Sequence, residues 1–487
     1  MFSQKAWHGL KKPPACILGK RGIGNIRHLI LFLTHRLIRM ILIYAPSPTP
    51  RLVYAMQQAL LGAPMRLTEN LDEYRSSALP GICYHPDSAG RGLHIVPCGL
   101  LGERKYRPLS PETGELPDGT PVLFPTPGTA LGFDLPSALF FLLSRYEEYG
   151  SKQLDEHRRF LPENSILHRM DCLDRPIADE WRLRLFREIQ RCFPDWEPPR
   201  PKGRVLPTHD IDLPYRYRCR GMLRTAGAWM RDLLRKDFPE ALQRLKCVCH
   251  LSPDPYFNLH TLAQADREAG YDPIFFIHCG PCGKYDRKDR IASRSYRRVL
   301  RHLAEEKYRL GLHPSYKSDS DPRHIAAERK AFAAQTGKAA ELSRQHYLRF
   351  RIPHTPRALL EAGLTDDYSL GYSSRTGFRA GTCHPFPYFD LGFNVPTELI
   401  LHPLIAMDVT LQRDMHLSPS DAEAELIRLA RTCLGVGGEF IFLVHNSSLA
   451  EKDVWKGWRH AYLHLLTELR SLEQAYSTRT AKGDYNI

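Results

Sequence analysis

RVLPTHDID, residues 204–212, is a short apolar run that ends in two carboxylates, Asp210 and Asp212. Pleating turns side chains i and i+2 of a strand to the same face, so a strand here presents both acids together at its C-terminal end. Downstream, strand-like and helix-like stretches alternate. Apolar runs at PIFFIH, YRLGL, AAELS, DYSLGY and FIFLVH are separated by helical segments such as SYRRVLRHLAEEK, DPRHIAAERKAFAAQ, TPRALLEAG and SPSDAEAELIRLARTCLG. The last has Ser418 and Ser420 as candidate caps and closes on a glycine. This alternation predicts an α/β fold with a parallel sheet or barrel, in which chemistry gathers at the C-terminal strand ends. Successive ends then carry His209, Asp210 and Asp212; His313; Arg344 and His346; Asp366 and Asp367; and His445 with Asn446.

Working back from this stretch, DWEPPRPKGR (195–204) holds three prolines and a glycine and reads as a linker. Ahead of it, residues 41–200 mix short strand-like runs with Pro/Gly loops (PSPTP, LPDGTP, FPTPGT) and then helical stretches, LPSALFFLLSRYEEY and ADEWRLRLFREIQRCF. Three parts are expected: a basic extension over 1–40, a smaller α+β accessory domain over 41–200 and a larger domain over 204–475. The chain, 487 residues and 43% hydrophobic, can bury a large core.

Its net charge of +14 is uneven, because residues 1–40 hold eight Lys/Arg and no acid, leaving +6 for the rest. No helix-turn-helix, zinc-finger or RNA-recognition motif accompanies the charge, so no nucleic-acid partner is expected. HLILFLTHRLIRMILIY is apolar, but His28, His35, Arg36 and Arg39 interrupt it, so no integral membrane segment is expected. The extension is either the product of a misplaced start codon or a basic arm that touches phospholipid or a partner. Twelve cysteines without a signal peptide point to reduced thiols in the cytoplasm. Cys279-Gly-Pro-Cys282 reads as a loop pair, with a redox dithiol, or a metal site with His278, as the alternatives.

Asp and His at neighbouring strand ends suit a divalent metal such as zinc, with one position left open for water. Hydrolysis also needs a base for the water and an acid for the leaving amine. Asp210 and Asp212 can divide this work, one taking a proton and the other binding metal, with a histidine across the mouth as acid. His209, between motif residues, is expected to be a buried hydrogen-bonding histidine. Trp455, Trp458 and Tyr462 have helical spacing and are expected in the core.

Residues 204–450 resemble, in order, the polysaccharide deacetylases, the family with the NodB homology domain also called carbohydrate esterase family 4. THDID resembles the family's first motif, which implies Asp210 as base and Asp212 as metal ligand. GLHPSY resembles the second, implying His313 as ligand. SRQHY stands where the arginine motif is expected, implying Arg344, and LVHN resembles the closing motif, implying His445 as general acid. RYEEY, DEWRL, SRQHYLRF, DYSLGY, GFRAGT and HNSSL together resemble a bacterial subgroup with an uncharacterised N-terminal domain. The resemblance implies a distorted (β/α) barrel, a zinc-type divalent ion and an N-acetylated amino-sugar polysaccharide or its precursor as substrate. A non-catalytic carbohydrate-binding relative is the alternative.

The chain departs from the family pattern in two places. The family's second motif has another histidine four residues after the first, where this chain has Lys317, which cannot ligate while protonated. His346, at the next strand end, is therefore expected as third ligand. Arg379, in the Gly-rich GFRAGTCHPF, is expected either to bind an anionic substrate group or to pair with Asp366 or Asp367. With Asp367 and Tyr316 it makes up the expected substrate-binding set.

Overall fold

The computed structural model describes residues 40–281, 283–286 and 294–482. The basic segment 1–39 and Cys282 lie outside the described residues, and with them the expected lipid contact and the cysteine pair.

β1 (Ile41–Tyr44), β2 (Met65–Thr68), β3 (Gly81–Tyr84) and β4 (Leu93–Ile95) form a sheet in the order β2-β1-β3-β4, parallel throughout. ILIY is buried at every position, as expected of a strand covered on both faces. The helix Pro50–Ala59 starts at Thr49, whose side chain accepts from the Leu52 N–H, and has proline in its first turn. It carries the chain from β1 over to β2. This sheet is thus α/β in character where α+β was expected: the helix between β1 and β2 supplies the crossover that parallel neighbours need. β5 (Thr113–Glu115) and β6 (Pro121–Leu123) make an antiparallel hairpin. The helix Leu135–Leu143 follows, apolar on all sides and buried at every residue.

The second sheet contains β7 (Arg204–Ile211), β8 (Ile274–His278), β9 (Arg309–His313), β10 (Leu342–Ser343), β11 (Asp366–Asp367), β12 (Phe386–Asp390), β13 (Val395–Leu401), β14 (Ala406–Met407) and β15 (Glu439–Leu443). Their order is β12-β13-β11-β10-β9-β8-β7-β15-β14, and β12 alone runs antiparallel to its neighbour. The sheet curls into a half-barrel, open among the described residues because β12 and β14 each pair with one strand only. Two strands expected from sequence are cut short: AAELS keeps only its last two residues, as β10, and DYSLGY only its first, Asp367, at the end of β11. DYSLGY stops because the Asp367 carboxylate accepts from the Ser369 N–H (2.8 Å) and hydroxyl (3.0 Å), a local turn that takes the chain out of the ladder.

One continuous core packs against both sheets, and buried polar groups cross between the two parts. The Asp179 carboxylate, near the start of the helix Ile177–Cys192, accepts from the Thr382 hydroxyl (2.7 Å) and the Cys383 N–H (2.9 Å). Arg51 donates to Asn394 at 2.8 Å. The linker 195–204 therefore joins sheets that are fastened to each other by packing. Trp458 and Tyr462 lie in the core, with Trp455 packed at its edge.

Candidate metal and catalytic site

At the end of β7, Asp210 and the next residue after the strand, Asp212, turn to one side and His209 to the other. His209 is fully buried, its ring bonded to Asp266 (2.8 Å) and to the Val444 carbonyl (2.9 Å), on the helix side of the sheet. On the opposite side the C-terminal ends of β7, β9, β10, β14 and β15 surround a cavity of about 460 Å³ lined by Asp210, Asp212, His313, His346 and His445, among others.

The hydrogen bonds of the two histidines determine where their lone pairs point. His313 Nδ1 faces the Arg344 carbonyl, which can only accept, so this nitrogen carries the proton. In the neutral ring Nε2 is then bare, and it faces Asp212 Oδ1 at 3.1 Å. Neither atom has a hydrogen-bond partner. Two buried acceptors facing each other at this distance repel unless a proton or a cation is shared between them. His346 repeats the arrangement: Nδ1 donates to Asp286 Oδ1 at 3.0 Å, and Nε2 lies 3.5 Å from Asp212 Oδ2. The potential ligand atoms of Asp212, His313 and His346 lie within 4.8 Å of one another. One carboxylate and two oriented imidazoles, each backed by an outer acceptor, form a donor set that fits a zinc-type ion.

A second trio among the described residues, His278, Asp286 and His346, meets the same distance criterion. Asp286 is already engaged, however, accepting from His346 and from the Tyr316 N–H (2.8 Å). Its place is behind the first trio. Asp286→Asn should weaken divalent-metal affinity about 10- to 100-fold, since outer partners of ligating histidines have effects of that size; titration calorimetry with Zn²⁺ reads it directly.

The charges are consistent with this arrangement. Burial would raise the Asp212 carboxyl, but His346 and His313 hold it well below the ordinary carboxylate range. Burial opposes the His346 imidazolium, yet Asp212 and Asp286 together raise it to about 9, so a cation bound here would take the place of the Nε2 proton. Beside this cluster, Arg344 is fully buried and donates from Nη1 to Asp210 Oδ1 (3.0 Å) and to the Thr208 hydroxyl (2.9 Å), with Nε on the Tyr368 carbonyl (3.0 Å). Arg344 does not line the cavity; it holds one Asp210 oxygen while the other stands 3.6 Å from His313 Nε2. His445 Nδ1 donates to Asp408 Oδ1 at 2.8 Å, and Asp408 Oδ2 accepts the His445 N–H at 2.8 Å. His445 Nε2 thus points into the cavity, 3.7 Å from Asp212 Oδ2. Although burial works against its charge, Asp408 raises His445 to about 10, so Nε2 holds a proton at neutral pH.

The three residues expected to contact substrate do not line this cavity. Arg379 is 1% exposed and donates to Glu148 rather than to Asp366 or Asp367, because the chain after β11 carries it back onto the first part of the molecule. Asp367 is fully buried, bonded to Ser343 and Ser369; burial, only partly offset by those bonds, pushes its carboxyl up to about 6. Asp366 binds His402 at 2.9 Å. Tyr316 bonds His157 through its hydroxyl (3.0 Å) and packs behind Tyr285 with the rings tilted, their centres 4.3 Å apart. Tyr285 and Tyr347 line the cavity in its place, as do His157 and Arg159 from the first part of the chain. Lys317 is exposed.

Asp286, Asp408, His157 and Tyr285 were not anticipated from the sequence. Asp408 directly follows the two-residue strand β14 in IAMDV, so the strand-end rule would have found it had so short a strand been recognised. Asp286 sits in a loop eight residues beyond β8, with no periodicity to mark it.

A family model described as a family of unknown function (DUF7033) matches residues 41–194. No curated protein matches the chain. Among solved structures, a Mycobacterium smegmatis protein described as a polysaccharide deacetylase is 16% identical, covering 59% of this chain and 93% of its own, with a TM-score of 0.37. The polysaccharide deacetylase from Bacillus cereus is 13% identical over 55% of this chain and 88% of its own, TM-score 0.28. A 7,8-dihydropteroate synthase from Vibrio fischeri scores the same 0.28, with 10% identity over 57% and 94%. Backbone likeness at this level reaches proteins described by different reactions and says nothing about the chemistry of this cavity.

Proposed function

We propose that this protein is a metal-dependent hydrolase that removes an N-acetyl group from an amino-sugar polysaccharide or its precursor. The observation that carries this reading is the pair of histidines, His313 and His346, whose Nε2 atoms converge on Asp212 between a carboxylate held by Arg344 and an imidazolium held by Asp408. A zinc-type ion held by Asp212, His313 and His346 would supply Lewis acidity, lowering the pKa of water and polarising a carbonyl.

The chain's own groups handle the protons. Asp210, one oxygen fixed by Arg344, takes a proton from the water as its oxygen bonds to the amide carbon. His445 gives its Nε2 proton to the nitrogen as the C–N bond breaks, leaving the free amine and acetate. Asp408 steadies the imidazolium before transfer and holds the ring's orientation after it. Tyr285 and Tyr347 line the cavity and offer aromatic surface to the apolar side of a sugar. In the cytoplasm such a substrate is a precursor rather than finished wall.

The test is acetate release from N-acetylglucosamine oligosaccharides by chain loaded with Zn²⁺. His445→Gln should lower kcat about 10²- to 10⁴-fold, the usual contribution of a positioned acid, while binding Zn²⁺ as tightly as the parent. A carbohydrate-binding relative without catalysis would hold the same oligosaccharides and release no acetate, whatever the metal content. That outcome would end the hydrolase reading.

A further inference from the structure

The helices Met222–Leu234 and Phe238–Val248 form a hairpin that follows Asp212 after a short loop. Both carry apolar stripes at helical spacing, and both stripes face outward. Met222, Leu223 and Leu234 are 90, 91 and 78% exposed, and Phe238 and Leu242 62 and 52%. The inward faces hold Asp232 and Arg244, bonded to each other at 2.7 Å, together with Ala241 and Cys247. A hairpin that served only to cover the core would have the opposite polarity.

The charge is concentrated in the same place. Residues 216–250 hold nine Lys/Arg and three Asp/Glu; with the eight Lys/Arg of residues 1–40 this accounts for the whole net charge of +14, and the remainder of the chain is neutral overall. Arg224, Arg231, Arg235, Lys236 and Lys246 are exposed around the apolar stripes. Between the helices Trp229 lines a groove of about 540 Å³ with Arg218 and Arg220.

We propose that this hairpin docks the protein on a membrane surface bearing anionic phospholipid, its apolar stripes among the acyl chains and its basic side chains on headgroup phosphates. A second copy of the hairpin, or the basic segment 1–40, would bring like charges together on this face; an anionic surface neutralises them. Among the described residues no helix is long and apolar enough to cross a membrane, so the contact is a surface one.

The hairpin is rooted beside the cavity. Arg216 at its base is bonded to Glu240 (3.0 Å) and Asp453 (2.9 Å), and Asn446, next to His445, donates to the Leu213 carbonyl (3.0 Å). A docked molecule therefore holds the end of the sheet that carries Asp212 and His445 near the lipid. That a lipid-borne sugar would be the substrate rests on the deacetylase reading; the docking itself does not.

Sedimentation of the full chain with phosphatidylcholine vesicles, with and without phosphatidylglycerol, tests the proposal. Binding is expected only with phosphatidylglycerol and should weaken in high salt. Leu234→Glu combined with Phe238→Glu should lower affinity about tenfold or more with an unchanged melting temperature, both sites being on the surface. Lys11→Glu, Lys12→Glu and Arg21→Glu together should leave most of the binding in place. No binding to phosphatidylglycerol, or equal binding by the hairpin variant, overturns the proposal. So does loss of binding in the Lys11/Lys12/Arg21 variant alone, which would make the extension the anchor. A dimer in light scattering that the hairpin variant converts to monomer assigns the face to a second copy instead. Acetate release from soluble oligosaccharide should be unaffected in the hairpin variant, so failure of docking and failure of the hydrolase reading are separable.

Discussion

His346→Ala is expected to weaken divalent-metal binding by more than about 100-fold, taking a chain that holds one ion to one that holds almost none at micromolar metal. The expectation follows from the donor set. Without His346, Asp212 and His313 are left as two ligands, and Lys317, where a further histidine is expected in the family this chain resembles, is exposed and cannot substitute. The fold should survive, because Asp286 keeps its bond from the Tyr316 N–H when it loses the one from His346. Metal analysis after gel filtration, with circular dichroism as the control for folding, reads the result. Acetate release should fall in proportion to bound metal. A variant that keeps a full equivalent of metal would remove His346 from the site and with it the account of how Lys317 is compensated.

Arg379→Ala should cost about 3 kcal/mol of stability, the low end of what removing one partner from a buried ionic group costs, because Arg145 stays on Glu148. Glu148 lies between two buried guanidiniums, accepting from Arg145 Nε at 2.9 Å and from Arg379 Nε and Nη2 at 3.0 and 2.7 Å. Burial works to raise the Glu148 carboxyl, and the two arginines override it and keep it ionised. Arg379 also donates to the Gly371 and Phe350 carbonyls (both 3.2 Å), so its removal strands two further buried acceptors. The group ties the first part of the chain to the second. Urea unfolding should show the loss as a lower midpoint. Because Arg379 does not line the cavity, kcat/KM per folded molecule should stay near that of the parent. A stability change below about 1 kcal/mol together with a raised KM would return Arg379 to the role of substrate ligand.

The alternation of apolar runs and amphipathic stretches after residue 204 was enough to anticipate a parallel sheet and to place its polar strand ends on one side. Pleat periodicity put Asp210 and Asp212 on one face, and since adjacent residues of a strand cannot share a face, the same rule accounts for His209 pointing to the other. His346 could be singled out because it stands at the strand end next to His313. The reading was poorer where strands are short or pairing is non-local. β14 has two residues and no pattern of its own, so Asp408 and its grip on His445 went unseen. The antiparallel hairpin β12–β13 and the parallel order of the first sheet depend on which strands meet, and sequence spacing does not encode that.

What the sequence by itself determined is the set of groups that β7, β9, β10 and β15 bring to one end of the sheet, because strand periodicity and parallel alternation are local properties. Only the tertiary structure decided what those groups face. Asp286, in the loop after β8, and Asp408, just past β14, turn the His346 and His445 rings, Glu148 claims Arg379 for the joint between the two parts, and the helices after β7 keep their apolar sides exposed. Each of these depends on contacts between residues tens to hundreds of positions apart, where burial and Coulomb energy select the partner and linear spacing carries no record of the choice.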